Sequence, residues 1–232
     1  MADTASPSHR LYLAKQHPSS PKRPEEVLSV KVARQAGLPV PKVVCYGDHP
    51  DTPHAPVPIL MTRVPGKQLG EAYKALNDEE KNSITRQLDL YLKTVRKWKR
   101  PWGEKRICSL VGTPIRSTRV PDHRIGPFET EKDSNEYLIE PAWPGEFRSK
   151  WGYKEALHLA RKMQGISHPI VFTHGDLQYC NIKVQDGRIT GLSDWGAVGW
   201  YYLILPVGGM DYMLKLEVAR ALTSLTSESC TW

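Results

Sequence analysis

The stretch His174-Gly175-Asp176-Leu177-Gln178-Tyr179-Cys180-Asn181, followed by Asp186-Gly187 and then by Asp194-Trp195-Gly196, specifies more of this 232-residue chain than any other segment. Ile170 to Thr173 is a short apolar run leading into it, and Gly175 lets the backbone turn tightly enough to present Asp176 at the mouth of a cleft. Asp186-Gly187 is a strong two-residue hairpin signal, flanked by Asn181 to Val184 and Arg188 to Leu192. With those two residues as the loop, Gln185 pairs with Arg188, Val184 with Ile189, Ile182 with Gly191, and Asn181 with Leu192. Side chains alternate along a strand, so Asp194 shares the face of Asn181, as a diagonal neighbour roughly 7–8 Å away or closer.

A carboxylate and an amide oxygen that converge in this way suit a magnesium ion whose other ligands are water and phosphate oxygens. Asp176, five residues before Asn181 with a loop between, can lie beside that ion and accept a proton from a substrate hydroxyl. The chemistry that follows is phosphoryl transfer by positioning, with the metal on the phosphates and the base on the acceptor alcohol. His174 belongs to the same catalytic turn, where a histidine hydrogen-bonds the loop backbone and fixes its shape rather than acting as the base. A lone His-Gly-Asp reads equally as an ordinary turn, and Asp194 alone as a helix cap. Turn, amide, hairpin and Asp-x-Gly in sequence are harder to assign to structure only.

Working outward, Arg10 to Gln16 reads as a short strand and Glu25 to Gln35 as a helix, with Pro24 at its start and Gly37 and Pro39 stopping it. Val27, Val30 and Arg34 mark one side of that helix. Val40 to Tyr46 and Ile59 to Val64 are two further strands, separated by a Pro-rich loop (His49 to Pro58). Asn77 and Glu80 form a capping-box pattern ahead of a helix whose apolar face is Ile84, Leu88, Tyr91, Val95 and Trp98. Ile107 to Phe128 is loop-like, while Glu129 to Ile139 and Tyr153 to Gln164 are helical. No internal repeat and no low-complexity segment occurs.

Composition excludes several classes. Apolar residues at 40% and charged residues at 25% are ordinary for a soluble globular protein. The N-terminus lacks a secretory pattern, and the longest uncharged run, Gly196 to Met210, falls short of the roughly 20 apolar residues of a membrane span. Four scattered cysteines, Cys45, Cys108, Cys180 and Cys230, form no Cys-x-x-Cys pair and suggest free thiols in a reducing, cytoplasmic setting. The net charge of +7 includes the run Lys93 to Arg106, read here as a solvated face rather than a nucleic-acid site, since no nucleic-acid motif accompanies it.

With these residues in view, the chain resembles the aminoglycoside phosphotransferase family, and through it choline kinases and the protein-kinase-like fold. The resemblance rests on Val171 to Leu177, Asn181 to Val184, Gly187 to Gly191 and Asp194-Trp195. Leu38 to Val43, Ile59 to Met61 with Pro65-Gly66, and His123 to Phe128 resemble the fungal branch in particular. The similarity runs over about residues 11 to 202.

The resemblance implies an α+β, two-lobed kinase-like fold, with a truncated, β-rich N-terminal lobe over residues 1–64 and a larger, mainly helical catalytic lobe over 65–232. It implies ATP and Mg²⁺, Asp176 as base, and Asn181 and Asp194 as metal ligands. Lys15 matches the strand lysine that meets the nucleotide phosphates, though by itself it reads equally as an exposed strand-end lysine. Glu25 or Glu26 would pair with it, and the spacing leaves both open. Met61 to Val64 would line the adenine pocket through backbone groups. The acceptor would be a small molecule's hydroxyl; no membrane or nucleic-acid partner is implied, and oligomeric state is not specified.

Two departures from the pattern also set expectations. The first glycine is Gly37, so the glycine-bearing hairpin that covers the nucleotide in this family has no counterpart ahead of Lys15. Thr62-Arg63 replaces an acidic-aromatic pair at the hinge. A catalytically impaired, pseudokinase-like binding module or a truncated gene product is therefore the alternative reading.

Overall fold

The computed structural model describes residues 11–13, 24–47, 59–117, 123–139, 149–163 and 168–202. In chain order its elements begin with β1 (Leu11–Leu13), α1 (Pro24–Gln35), β2 (Val43–Tyr46), β3 (Ile59–Thr62), β4 (Lys67–Gln68), α2 (Leu69–Ala72) and α3 (Asp78–Arg96). They continue with β5 (Cys108–Ser109), β6 (Ile115–Arg116), β7 (Arg124–Ile125), α4 (Glu131–Ile139) and α5 (Lys150–Met163). The last are β8 (Ile170–Thr173), β9 (Ile182–Gln185), β10 (Arg188–Leu192) and β11 (Gly199–Tyr202). Two compact units result. The described part of the first falls within Met1–Leu92 and Asp176–Gly196, and that of the second within Lys93–Gly175 and 197–202.

In the first unit β3 lies between β1 and β2, antiparallel to both, with Met61 opposite Tyr12 on one side and Val43 on the other. Helix α1 buries Val27, Val30 and Ala33. Ala33, rather than Arg34, completes the apolar side, and Arg34 instead donates to the carbonyl of Val40 (3.1 Å) beyond the helix end. The strand expected from Val40 begins only at Val43, because Pro41 has no N–H to give to a ladder. A second sheet orders its strands β10-β9-β4.

Helix α3 opens with the predicted capping box. The Glu80 N–H donates to Asn77 Oδ1 and the Asn77 N–H to Glu80 Oε2, both at 2.9 Å. Ile84, Leu88 and Val95 are buried as their spacing requires, together with Leu92; Tyr91 and Trp98 are half-buried. The helix also reaches the β9–β10 hairpin tip. Gln87 Nε2 donates to the Gly187 carbonyl (3.1 Å), and the Ile189 N–H donates to Gln87 Oε1 (3.0 Å).

In the second unit β11 lies between β5 and β8, antiparallel to both, in a sheet the sequence reading did not contain at β5 and β11. The region read as a loop from Ile107 to Phe128 also holds the β6–β7 pair and a bridge between Ile107 and Phe128. These strands are two residues long, too short for an alternating pattern to register. Aromatic packing fills the space behind β8: Phe172 meets Trp98 at 4.6 Å between ring centroids and Trp200 edge-on at 5.2 Å. Helices α4 and α5 begin at Glu131 and Lys150, two residues after and three before their expected starts. No helix among the described residues is long and apolar enough to cross a membrane.

Candidate active site

Strand β8 buries Ile170 and Phe172 and delivers the chain into His174-Gly175-Asp176. His174 is 5% exposed. Gly175 has φ +80°, and a Cβ there would lie 2.0 Å from the Ala197 carbonyl oxygen, so both the turn and the close approach require glycine. The chain passes from the second unit to the first between Gly175 and Asp176, which puts His174 and Asp176 on either side of that division.

Asp176 anchors a short closed loop. The Gln178 N–H donates to the Asp176 carbonyl (3.0 Å), and the Asn181 N–H donates to the Gln178 carbonyl (2.9 Å). A 3₁₀ turn over Tyr179–Asn181 then feeds β9. Both carboxylate oxygens of Asp176 accept from carboxamides: Oδ1 from Gln178 Nε2 (2.7 Å) and Oδ2 from Asn181 Nδ2 (3.1 Å). Asn181 Nδ2 also donates to the Asp176 carbonyl (2.8 Å), and Asn181 is 5% exposed. With its nitrogen held on Asp176, the planar amide turns its Oδ1 away from that residue.

The hairpin forms as its turn demands, with φ of 49° at Asp186 and 67° at Gly187, both positive as in a type I′ turn. Gln185 pairs with Arg188 and Val184 with Ile189, as expected. Beyond that the predicted register is wrong by one residue. Lys183 pairs with Gly191 and Ile182 with Leu192, because the ladder shifts at Thr190. The Thr190 hydroxyl donates to the Pro65 carbonyl (2.6 Å), a tertiary contact that draws the strand out of simple alternation.

Asn181 therefore stands opposite Ser193, not Leu192. The Ser193 N–H (2.9 Å) and its hydroxyl (3.2 Å) both donate to the Asn181 carbonyl. These two hydrogen bonds, rather than strand alternation, set Ser193 against Asn181 and so bring the next residue, Asp194, close to it along the chain. Asp194 has φ +61°, an uncommon conformation for a non-glycine residue and one concentrated at functional positions. Behind it Trp195, 2% exposed, donates its indole N–H to the Leu192 carbonyl (3.1 Å).

A further carboxylate comes to this place from α1. A Cβ on Gly196 would lie 3.6 Å from Asp194 Oδ1 and 3.7 Å from Glu26 Oε2. Glu26 is 7% exposed, whereas Glu25 is half-buried and its carbonyl accepts the Ser29 hydroxyl (2.6 Å). Of the two glutamates the spacing left open, Glu26 is the more buried, and its Oε2 lies beside Gly196. Lys15 lies outside the described residues. Met61, half-buried, sits at the centre of the first sheet, and Thr62 commits both its N–H and its hydroxyl to Lys42, each at 2.9 Å. The sequence reading missed Gln178, Thr190 and Gln87. Only Gln178, two residues past the aspartate in a tight loop, carried a local signal.

The donor set fits magnesium. Asn181 offers an amide oxygen and Asp194 a carboxylate, both hard oxygen ligands, and neither nitrogen nor sulfur joins them. Among the described residues no group of three or more His, Cys, Asp or Glu could hold a metal ion.

Helices, short antiparallel sheets and a tight turn that leads through a closed loop into a hairpin make a mixed helix-and-sheet protein of the kinase-like fold. The chain belongs to the phosphotransferase enzyme family (APH), whose family model matches residues 4–205. Among solved structures it is similar to the GDP complex of wild-type aminoglycoside 2'-phosphotransferase-IIIa, at 13% identity and a TM-score of 0.54 over 87% of this chain and 68% of that one. It is also similar to the apo form of a thermostable mutant of aminoglycoside phosphotransferase APH(4)-Ia (14% identity, TM-score 0.51), covering 76% of this chain and 57% of that one. A ternary complex of a further variant of that thermostable mutant with ADP and hygromycin B gives 15% identity and a TM-score of 0.50, covering 76% of this chain and 57% of that one. The chain thus spans little more than half the length of APH(4)-Ia. No curated protein sequence matches it.

Proposed function

We propose that this protein is a Mg²⁺-dependent phosphotransferase that moves the terminal phosphoryl group of ATP to a hydroxyl of a small molecule. The observation that carries the reading is the Asp176–Asn181–Asp194 arrangement: the Asn181 amide nitrogen is spent on Asp176, and Ser193, the residue before Asp194, is bonded to the Asn181 carbonyl. Asp176 accepts the proton of the acceptor hydroxyl as its oxygen attacks phosphorus. Asn181 Oδ1 and the Asp194 carboxylate hold the metal, which when bound neutralises charge on the nucleotide phosphates. Glu26, buried and with Oε2 beside Gly196, is the helix glutamate that would pair with Lys15. His174 fixes the turn.

The purine is held by backbone at the β3 end. Thr62's N–H and hydroxyl are engaged with Lys42, so the base contacts fall to the other backbone groups of Met61 to Val64. One structural neighbour is a GDP complex and another an ADP complex, so the donor test needs both nucleotides. We assign the chain to the fungal branch on Leu38 to Val43 and His123 to Phe128.

The test is phosphoryl transfer from Mg²⁺-ATP and Mg²⁺-GTP to a panel of hydroxylated amines, followed by mass spectrometry of the products. Transfer from ATP, lost when Mg²⁺ is chelated, supports the reading. Nucleotide binding with no transfer to any acceptor would point to the binding-module alternative, and no binding of either nucleotide at millimolar concentration would refute the kinase assignment.

A further inference from the structure

We infer that Gln178 is a positioning residue for the transfer, holding one oxygen of Asp176 while Asn181 holds the other; this rests on Asp176 being the base. The terminal torsion of an aspartate side chain is broad, so one hydrogen bond leaves the carboxylate free to swing. Here two carboxamides, one on each oxygen, set the plane of the group: Gln178 Nε2 at 2.7 Å from Oδ1 and Asn181 Nδ2 at 3.1 Å from Oδ2. Each carboxylate oxygen has about two acceptor sites. With the plane fixed, the sites facing an acceptor hydroxyl keep one direction.

The loop's own bonds support this assignment. Gln178 donates its N–H to the Asp176 carbonyl and receives the Asn181 N–H on its own carbonyl, which ties the three residues into one circuit. Its backbone is extended, with φ −111° and ψ 162°, a conformation open to any residue. Glutamine is therefore not needed there for the turn, and it places a donor on Asp176. Asn181 alone could not do the same work, because its amide is shared between Oδ2 and the Asp176 carbonyl.

Three variants of the full chain test the inference, assayed with Mg²⁺-ATP and the best acceptor of the hydroxylated-amine panel. Gln178→Met keeps the length and removes the donor; kcat should fall about 10–100-fold, with the nucleotide KM within about twofold, as expected for lost orientation. Gln178→Glu removes the donor and adds a like charge, and should lose more. Gln178→His, whose Nε2–H reaches about as far, should recover a large part of kcat. A melting cycle reads the contact without turnover: Gln178→Met should lower Tm in the parent and have little effect in an Asp176→Ala background.

Parent-like kcat in Gln178→Met, kcat and nucleotide affinity falling together, or no recovery in Gln178→His would each overturn the positioning role. Equal Tm shifts in both backgrounds would remove the contact itself. If the melting cycle shows coupling but the parent transfers phosphate to nothing on the panel, the kinase reading has failed and the catalytic role of Gln178 falls with it, leaving only a loop bond.

Discussion

Replacing Gln87 tests whether α3 holds the hairpin that carries Asn181 and Asp194. The Gln87 carboxamide makes two bonds to the hairpin tip, donating to the Gly187 carbonyl at 3.1 Å and accepting the Ile189 N–H at 3.0 Å. Gly187 and Ile189 are both buried, so its removal leaves one buried acceptor and one buried donor without this partner. Such an orphaned group costs about 1–3 kcal/mol. Gln87 is itself half-buried and water can enter the vacated space, so the lower end applies to each group, or about 2 kcal/mol in total. At about 2–4 °C per kcal/mol for a chain of this size, Gln87→Met should lower Tm by about 4–8 °C. Methionine keeps the aliphatic stem, so the loss reports the bonds and not the packing. Hydrogen exchange at the Ile189 amide should accelerate along with it. A Gln87→Met variant melting within about 1 °C of the parent, with Ile189 exchange unchanged, would refute the idea that this contact secures the hairpin.

Gly175→Ala combines a left-handed φ of +80° with a Cβ 2.0 Å from the Ala197 carbonyl oxygen, and should cost about 2–5 kcal/mol, read by chemical denaturation; a cost under 1 kcal/mol would contradict the turn geometry. Asn77→Ala removes the α3 cap and should cost about 1 kcal/mol, with Asn77→Ala and Glu80→Ala together costing less than their sum because the two bonds are reciprocal. Burial pushes the Cys108 thiol up, with Glu129 adding to the rise and Arg106 opposing it, so less thiolate is present at any given pH. Iodoacetamide at pH 8 should therefore label exposed Cys45 well before Cys108, with the difference vanishing in denaturant; equal labelling of the native chain would argue against that burial.

The elements that local chemistry dictates were readable from the sequence. Asp186-Gly187 makes its turn because both residues tolerate positive φ, and Asn77 with Glu80 makes its cap because the two side chains answer each other three residues apart. The register beyond Ile189 was not readable. The shift at Thr190 is set by Pro65, 125 residues away in sequence, and no periodicity encodes such a contact. Glu25 and Glu26 differ by one position on a helix, and only packing turns Glu26 inward. The two-residue strands β5 to β7 are formed by neighbours rather than by their own residues, which is why their region reads as loop. Asn181 and Asp194 were brought together by sequence reasoning through strand alternation; the structure brings them together by Ser193's two bonds to Asn181 instead.

In the proposed function Asp176 deprotonates an acceptor hydroxyl, and the isosteric change Asp176→Asn removes that ability while keeping the side chain's shape. Turnover of the best acceptor with Mg²⁺-ATP should fall by about 10²–10⁴-fold, the usual contribution of a general base, while the nucleotide dissociation constant stays within a few-fold of the parent. An Asp176→Asn chain that transfers phosphate at the parent's rate would contradict the account.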